Sequence, residues 1–110
     1  MIARVGADEA LPDTVSRLRR AGRTPYVVSG ATKSALLDSF AATFHFPDYF
    51  GHNLDALADS LRDIKVRTPA TIVWDDAATL ARTDHSTYAA VEQILGTSLP
   101  PGVDALQCLR

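Results

Sequence analysis

The stretch that decides the fold is residues 46–63, which read FPDYFGHNLDALADSLRD. Pro47 restricts the residue before it to extended conformations and Gly51 permits a positive φ angle, so the chain turns here. Asn53 is a good helix N-cap, and an apolar stripe begins directly after it. At about 100° per residue, four apolar side chains share one side of the following helix: Leu54, Leu57, Leu61 and Ile64. The stretch therefore predicts a turn followed by an amphipathic helix that packs on a core.

The other side of this helix carries a row of carboxylates. Asp55, Asp59 and Asp63 are spaced at i, i+4 and i+8 and line up along one face. Each like-charged pair costs an isolated helix about 0.2 to 0.5 kcal/mol, and only Asp55 lies near the N-terminus, where the helix dipole favours a negative group. Two interpretations are open: a solvated acidic face that Arg62 partly neutralises, or a surface that binds a cationic partner.

Two aromatic residues precede the acidic helix. Aromatic rings supply contact area and arginine stacks on them, so a ring beside convergent carboxylates suits a cation-rich partner surface. Tyr49 has a polar tip and is predicted to lie at the surface, whereas Phe50 is predicted to fill the core. The turn and the helix together form a candidate partner-binding surface.

The composition is that of one ordinary folded domain, residues 1–110. Hydrophobic residues make up 46% of the chain and charged residues 22%, which is enough to bury a core. The net charge is −2 but uneven: residues 1–24 hold five arginines against three carboxylates, and residues 47–63 hold four aspartates against one arginine. A local acidic patch favours a cationic partner and argues against nucleic-acid binding, which needs a basic surface.

Cysteine content and hydropathy bear on the compartment. Cys108 is the only cysteine, so no intrachain disulfide can form, and its apolar neighbours predict a buried thiol. Residues 1–9 contain no apolar signal segment, and no run approaches the length of a membrane span. We therefore expect a cytoplasmic protein without membrane contact.

Strand and helix signals alternate along the rest of the chain. Apolar runs predict strands at 26–29, 70–74 and 105–109. One helix is predicted from Lys33, capped by Thr32, and another begins near Asp84 or Ser86 and ends before Gly96. Because helices separate the strands, the prediction is an α/β fold with a three-stranded parallel sheet packed against helices.

Residues 1–24 are predicted to form a short N-terminal extension to a core at 25–110. Residues 2–5 are compatible with a short strand. Pro12 near the start and Gly22 after the end are typical of a short helix between them. Further along, Asp75 and Asp76 follow the strand at 70–74, where they are expected to cap the next segment.

Residues 47–59, PDYFGHNLDALAD, carry a family resemblance. They are similar to the pattern Pro-acid-Tyr-aromatic-Gly-x-Asn-Leu-Asp-Ala-Leu-x-Asp of the barstar family, small intracellular inhibitors of secreted microbial ribonucleases. The similarity covers about residues 25–109 and is weak outside the motif. It implies a barstar-like three-stranded parallel sheet packed against helices, with the acidic helix and the preceding loop plugging the cleft of a basic nuclease.

The resemblance also implies a set of contact residues. Asp59 matches the central carboxylate that enters the phosphate pocket, Asp55 a second one that pairs with a neighbouring arginine, and Glu92 an acidic contact from the later helix. The remaining implied contacts are Tyr49, Asn53, Ala58, Arg62 and Asp63. Two positions depart from the family: Ala58 stands where a large aromatic residue is frequent, and His52 where an acidic residue is common. The implied partner is an extracellular ribonuclease of the guanyl-specific type, bound one to one through its basic active site.

The sequence does not point to an enzyme. His45, His52 and His85 stand in no metal or triad spacing, and there is no glycine-rich phosphate loop or nucleophile elbow. Carboxylates on an exposed helix face bind Mg²⁺ or Ca²⁺ poorly, because these ions need nearly complete oxygen cages. We expect no catalytic residue, metal or cofactor. The alternative to a ribonuclease inhibitor is a barstar-like immunity or interaction module for a different basic toxin or regulatory partner.

Overall fold

The computed structural model describes residues 2–6, 8–47 and 50–109. Strands and helices alternate along these residues, with two helices in succession at two places. In chain order the elements are β1 (Ala3–Val5), α1 (Leu11–Arg20), β2 (Thr24–Val28), α2 (Lys33–Phe44), α3 (Leu54–Arg62), β3 (Ala70–Trp74), α4 (Ala77–Thr83), α5 (His85–Thr97) and β4 (Val103–Cys108).

The strands form one parallel sheet in the order β1-β4-β3-β2. The α/β class and the parallel pairing are confirmed, but the predicted number of strands is wrong, because the sheet has four. The additional strand is β1, in which Ala3 lies opposite Leu106 of β4. Without β1, the backbone groups along this edge of β4 would be left unpaired, so the N-terminal segment completes the sheet.

Both faces of the sheet are covered. Ile72 and Trp74 belong to the larger core cluster, to which α2, α3, α4 and α5 contribute buried side chains. Val73, between them in β3, faces the other way and packs with Leu18 of α1 and Cys108 of β4. Side chains alternate across a strand, so this arrangement explains the nearly continuous apolar sequence of β3. The predicted burial of Trp74 and Cys108 is confirmed, since both are fully buried.

The helix caps predicted at Thr32 and Asn53 are present. The Thr32 side chain accepts a hydrogen bond from the Ala35 backbone N–H at 3.1 Å and so begins α2. Asn53 does the same for α3, with its Oδ1 2.8 Å from the Ala56 nitrogen. Such caps satisfy backbone donors that have no partner within the helix. The start of the acidic helix is therefore defined locally by one side chain.

Two helix boundaries differ from the prediction. The segment after β3 forms the short helix α4, and Asp76 precedes it in the left-handed region at φ 56°. The Asp76 side chain makes no capping bond to the helix backbone, contrary to the prediction, because it accepts from the Thr79 hydroxyl at 2.8 Å instead. Helix α5 does not end before Gly96. It continues to Thr97, because backbone pairing runs on through the Ser98 N–H, which donates to Ile94 at 2.8 Å. A glycine inside a helix costs about 1 kcal/mol, which the buried side of α5 offsets.

Candidate functional site

Helix α3 presents an apolar and an acidic side, as predicted. Leu57 and Leu61 are fully buried in the core. Asp55, Asp59 and Asp63 are all exposed on the opposite side. Asp63 is the C-cap residue, just beyond the last helical turn, where the helix dipole disfavours a negative charge. Because the apolar side is fixed in the core, the carboxylates project from a surface that cannot rotate.

Asp59 has one partner among the described side chains. Its Oδ1 accepts a hydrogen bond from Arg62 Nη1 at 2.9 Å, one turn along the helix. The side chains of Asp59 and Arg62 are 78% and 58% exposed. A pair so open to water contributes only about 0 to 1 kcal/mol, so Asp59 can exchange this partner at little cost. The partial neutralisation by Arg62 expected from the sequence is confirmed.

The loop before α3 is tied to helix α2 through His52. His52 Nδ1 lies 3.0 Å from the carbonyl oxygen of Phe50, and Nε2 lies 3.0 Å from Asp38 Oδ1. The positive φ angle belongs to His52, at 48°, and not to Gly51 as the sequence suggested. Phe50 is buried as predicted and its ring lies 5.0 Å from the imidazole. The predicted contact residue Tyr49 lies outside the described residues, so its role stays a prediction.

Asn53 links the loop to the helix. Besides capping α3 with its oxygen, it donates through Nδ2 to the carbonyl of Gly51 at 3.2 Å. Both ends of its amide group are therefore occupied within the protein. Its predicted contact with a partner stays a prediction, as does that of the half-buried Ala58 on one flank of the acidic row.

A groove of about 550 Å³ runs along the other flank of the acidic row. One wall comes from the end of α2 and the chain after it, with Phe44, Phe46 and Pro47. The opposite wall comes from α3 and the residues that follow it. It includes Asp59, Ser60, Asp63, Ile64 and Lys65. The sequence motif draws attention to the helix but not to this groove, since its two walls are separated in the chain and meet only in the fold.

Glu92 is engaged inside the protein. Its Oε2 accepts hydrogen bonds from Arg4 at 2.7 Å and from the buried Gln107 at 2.6 Å, and it lies 3.4 Å from the Tyr88 hydroxyl. The hydrogen bond from Arg4 lowers the pKa of Glu92 below its ordinary value. This carboxylate therefore connects α5 to β1 and β4. Its predicted contact with a partner stays a prediction.

Within residues 2–6, 8–47 and 50–109, no three side chains of histidine, cysteine, aspartate or glutamate converge to hold a metal ion. Over the same residues, no helix has both the length and the apolar character required to cross a membrane.

Comparison with known proteins bears on the identity of the acidic surface. The sequence model of one protein family, described as Barstar (barnase inhibitor), matches residues 27–99. This range takes in the acidic helix and the loop before it, together with α2, α4 and α5. A search of curated proteins gives no match. Because the family match spans well over half of the chain and includes the motif at residues 47–59, this chain belongs to the barstar family.

Proposed function

We propose that this protein inhibits a secreted microbial ribonuclease by covering its basic active-site cleft with the acidic side of α3 and the loop before it. One observation carries the proposal: a row of exposed carboxylates stands on a capped helix whose other side is locked in the core. The family described as barnase inhibitors supplies the class of partner. The inhibitor acts in the cytoplasm as an immunity protein and binds one to one.

The mechanism is replacement of phosphates by carboxylates. A ribonuclease cleft binds the RNA backbone through arginine, lysine and histidine side chains. Carboxylates accept the same charge-assisted hydrogen bonds, and arginine binds them in a bidentate manner. Asp59 enters the catalytic phosphate pocket and exchanges its bond to Arg62 for bonds to the cations of the nuclease. Asp55, one turn earlier, pairs with a second cation at the rim.

The rigidity of the surface favours binding. Association loses affinity wherever side chains or loops must be ordered, and each immobilised side chain costs about 0.5 to 1.5 kcal/mol. Here the helix is already fixed by Leu57 and Leu61, and the residues directly before it by the Asn53 cap and the buried Phe50. Opposite charges also steer the two proteins together, so association should slow as salt is added.

Two positions favour a second candidate, a barstar-like immunity or interaction module for a different basic toxin or regulatory partner. Ala58 offers a small side chain where the family often has a large aromatic one. His52 adds an imidazole where an acid is common. Both changes alter the rim around the acidic row without removing Asp55 or Asp59, so they change which basic protein fits and leave the mode of binding intact.

The experiment is an RNA cleavage assay with a guanyl-specific microbial ribonuclease and the purified protein. With the ribonuclease at micromolar concentration, RNA cleavage should fall in proportion to the added protein until the two are equimolar. Asp59→Asn should weaken the inhibition, while Asp13→Asn, the same change on the exposed side of α1, should not. Undiminished cleavage would exclude this class of ribonuclease and favour the second candidate.

A further inference from the structure

The groove beside the acidic row has a distinct chemistry. Its lining includes Phe44 and Phe46, whose ring centroids are 6.2 Å apart, together with Asp59 and Asp63. Aromatic rings and carboxylates in one groove suit a flat cation, because arginine stacks on rings and at the same time donates hydrogen bonds to carboxylate oxygens in its own plane.

We propose that this groove binds an arginine side chain of the partner, in addition to the cations that meet Asp55 and Asp59 on the face of the helix. The proposal rests on the proposed function only for the identity of the protein that carries the arginine. Asp59 and Asp63 both border the groove, but the proposed function already assigns Asp59 to a cation on the helix face, so Asp63, at the exposed end of α3, is the residue that tests the groove by itself.

Charge and shape both favour arginine over other occupants. Lysine is a compact, strongly hydrated point charge and gains less from a ring than arginine does. An acidic segment would meet two carboxylates, and a purely apolar segment would strip water from them without replacing its hydrogen bonds. Two cationic side chains already stand near the groove: Lys65 in its lining, and Arg62, which bonds Asp59 from the helix. Lys65 is exposed and competes with an arriving guanidinium.

The groove can be tested without any ribonuclease. The probe is N-acetyl-arginine amide. N-acetyl-lysine amide serves as the comparison compound, and each is titrated separately at constant ionic strength. Binding is followed by NMR shifts of the backbone amides of Ser60, Asp63, Ile64 and Lys65. A single amino-acid derivative should bind with a dissociation constant on the order of millimolar, and the arginine compound should bind about threefold or more tightly than the lysine compound.

Three substitutions each remove one charge, and a different effect on the affinity for the arginine probe is expected from each. Asp63→Asn should weaken arginine binding about threefold to tenfold, because a charged acceptor is lost from the groove. Asp13→Asn removes the same charge from the exposed side of α1, far from the groove lining, so it should change binding less than about twofold, which is the effect of a screened charge. Lys65→Gln should strengthen binding.

The proposal is overturned if the two probes shift the same amides equally, or if Asp13→Asn and Asp63→Asn weaken binding alike. Either result would mean that the negative charge acts as a diffuse field. The ribonuclease assay gives a separate outcome. If the groove prefers arginine but no ribonuclease is inhibited, the proposed function is wrong and the arginine site is retained. If a ribonuclease is inhibited but Asp63→Asn leaves the affinity for the probe unchanged, the arginine site is wrong and the proposed function is retained.

Discussion

Asp59 and Glu92 are carboxylates on two helices that pack into the same core, yet their surroundings are opposite. Asp59 is 78% exposed and accepts one hydrogen bond, from Arg62, which is itself largely in water. Glu92 is 24% exposed and receives hydrogen bonds from Arg4 and Gln107. A carboxylate with weak, exposed bonds is available to another molecule, whereas one whose bonds are shared across the sheet holds the protein together.

The largest expected effect falls on binding at Asp59. Asp59→Ala should weaken inhibition of a cognate ribonuclease at least about 30-fold, or about 2 kcal/mol, because a cation of the partner is left desolvated without its acceptor. Asp63→Ala should cost less, about threefold, since a groove open to water screens its charge. Inhibition constants for both variants, with thermal unfolding as the check on folding, measure the difference. Equal and small effects would leave the acidic row as an ordinary solvated surface.

The second prediction concerns stability at Glu92. Glu92→Gln should lower the free energy of unfolding by about 1 to 2 kcal/mol, because the charge-assisted bond to Arg4 is lost and the buried Gln107 amide keeps a poorer acceptor. Urea denaturation measures this, with Asp13→Asn as a control expected to stay within about 0.5 kcal/mol. When enough folded Glu92→Gln protein is present to saturate the ribonuclease, its inhibition should equal that of the native protein. If inhibition weakens while stability holds, Glu92 is a partner contact and the contrast with Asp59 is wrong.

The third prediction uses pH. Arg4 lowers the pKa of Glu92 below the ordinary carboxyl value of 4.5, so the folded state favours the ionised form. Its contribution to stability is therefore fully present above about pH 4.5 and is lost as the pH falls through the lower pKa of the folded protein. The stability difference between the native protein and Glu92→Gln should be constant near neutral pH and shrink in acid. A difference that grows on acidification would contradict this.

The smallest effect is expected at Arg62. Arg62→Gln removes the intramolecular partner of Asp59 and should change stability by less than about 0.5 kcal/mol, as exposed pairs generally do. Inhibition should become slightly stronger, about twofold, because the patch gains negative charge and Asp59 has no bond to exchange. Association rates at low and high salt measure the change. If inhibition weakens, Arg62 itself contacts the partner, as the family resemblance implies.

What could be predicted from the sequence is local. Asn53 and Thr32 cap their helices through atoms three residues away, and Leu57 and Leu61 lie on one side of α3 because a helix repeats every 3.6 residues. Signals of this kind depend only on neighbours in the chain. The acidic row and its exposure were predictable for the same reason, as was the burial of Trp74 in an unbroken apolar strand.

What could not be predicted depends on residues distant in the chain. Arg4 and Glu92 are separated by 88 positions, and only the pairing of β1 with β4 brings them together. The same pairing adds the fourth strand, β1, which is only three residues long and therefore too short to give a clear strand pattern in the sequence. The groove has this character too, since Phe46 and Asp63 become neighbours only when the chain folds back. The short helix α4 was missed because seven residues are too few for a clear apolar period.

The bond between Asp59 and Arg62 has a consequence for selectivity among the many basic proteins of a cell. A stray protein that offers one guanidinium gains almost nothing by binding at Asp59, because it only replaces a guanidinium already there. A cleft built to hold a polynucleotide offers several cations together, and their combined attraction exceeds what the displaced arginine supplied. The same exchange therefore lowers the affinity of Asp59 for an isolated guanidinium while leaving it able to bind where several cations meet.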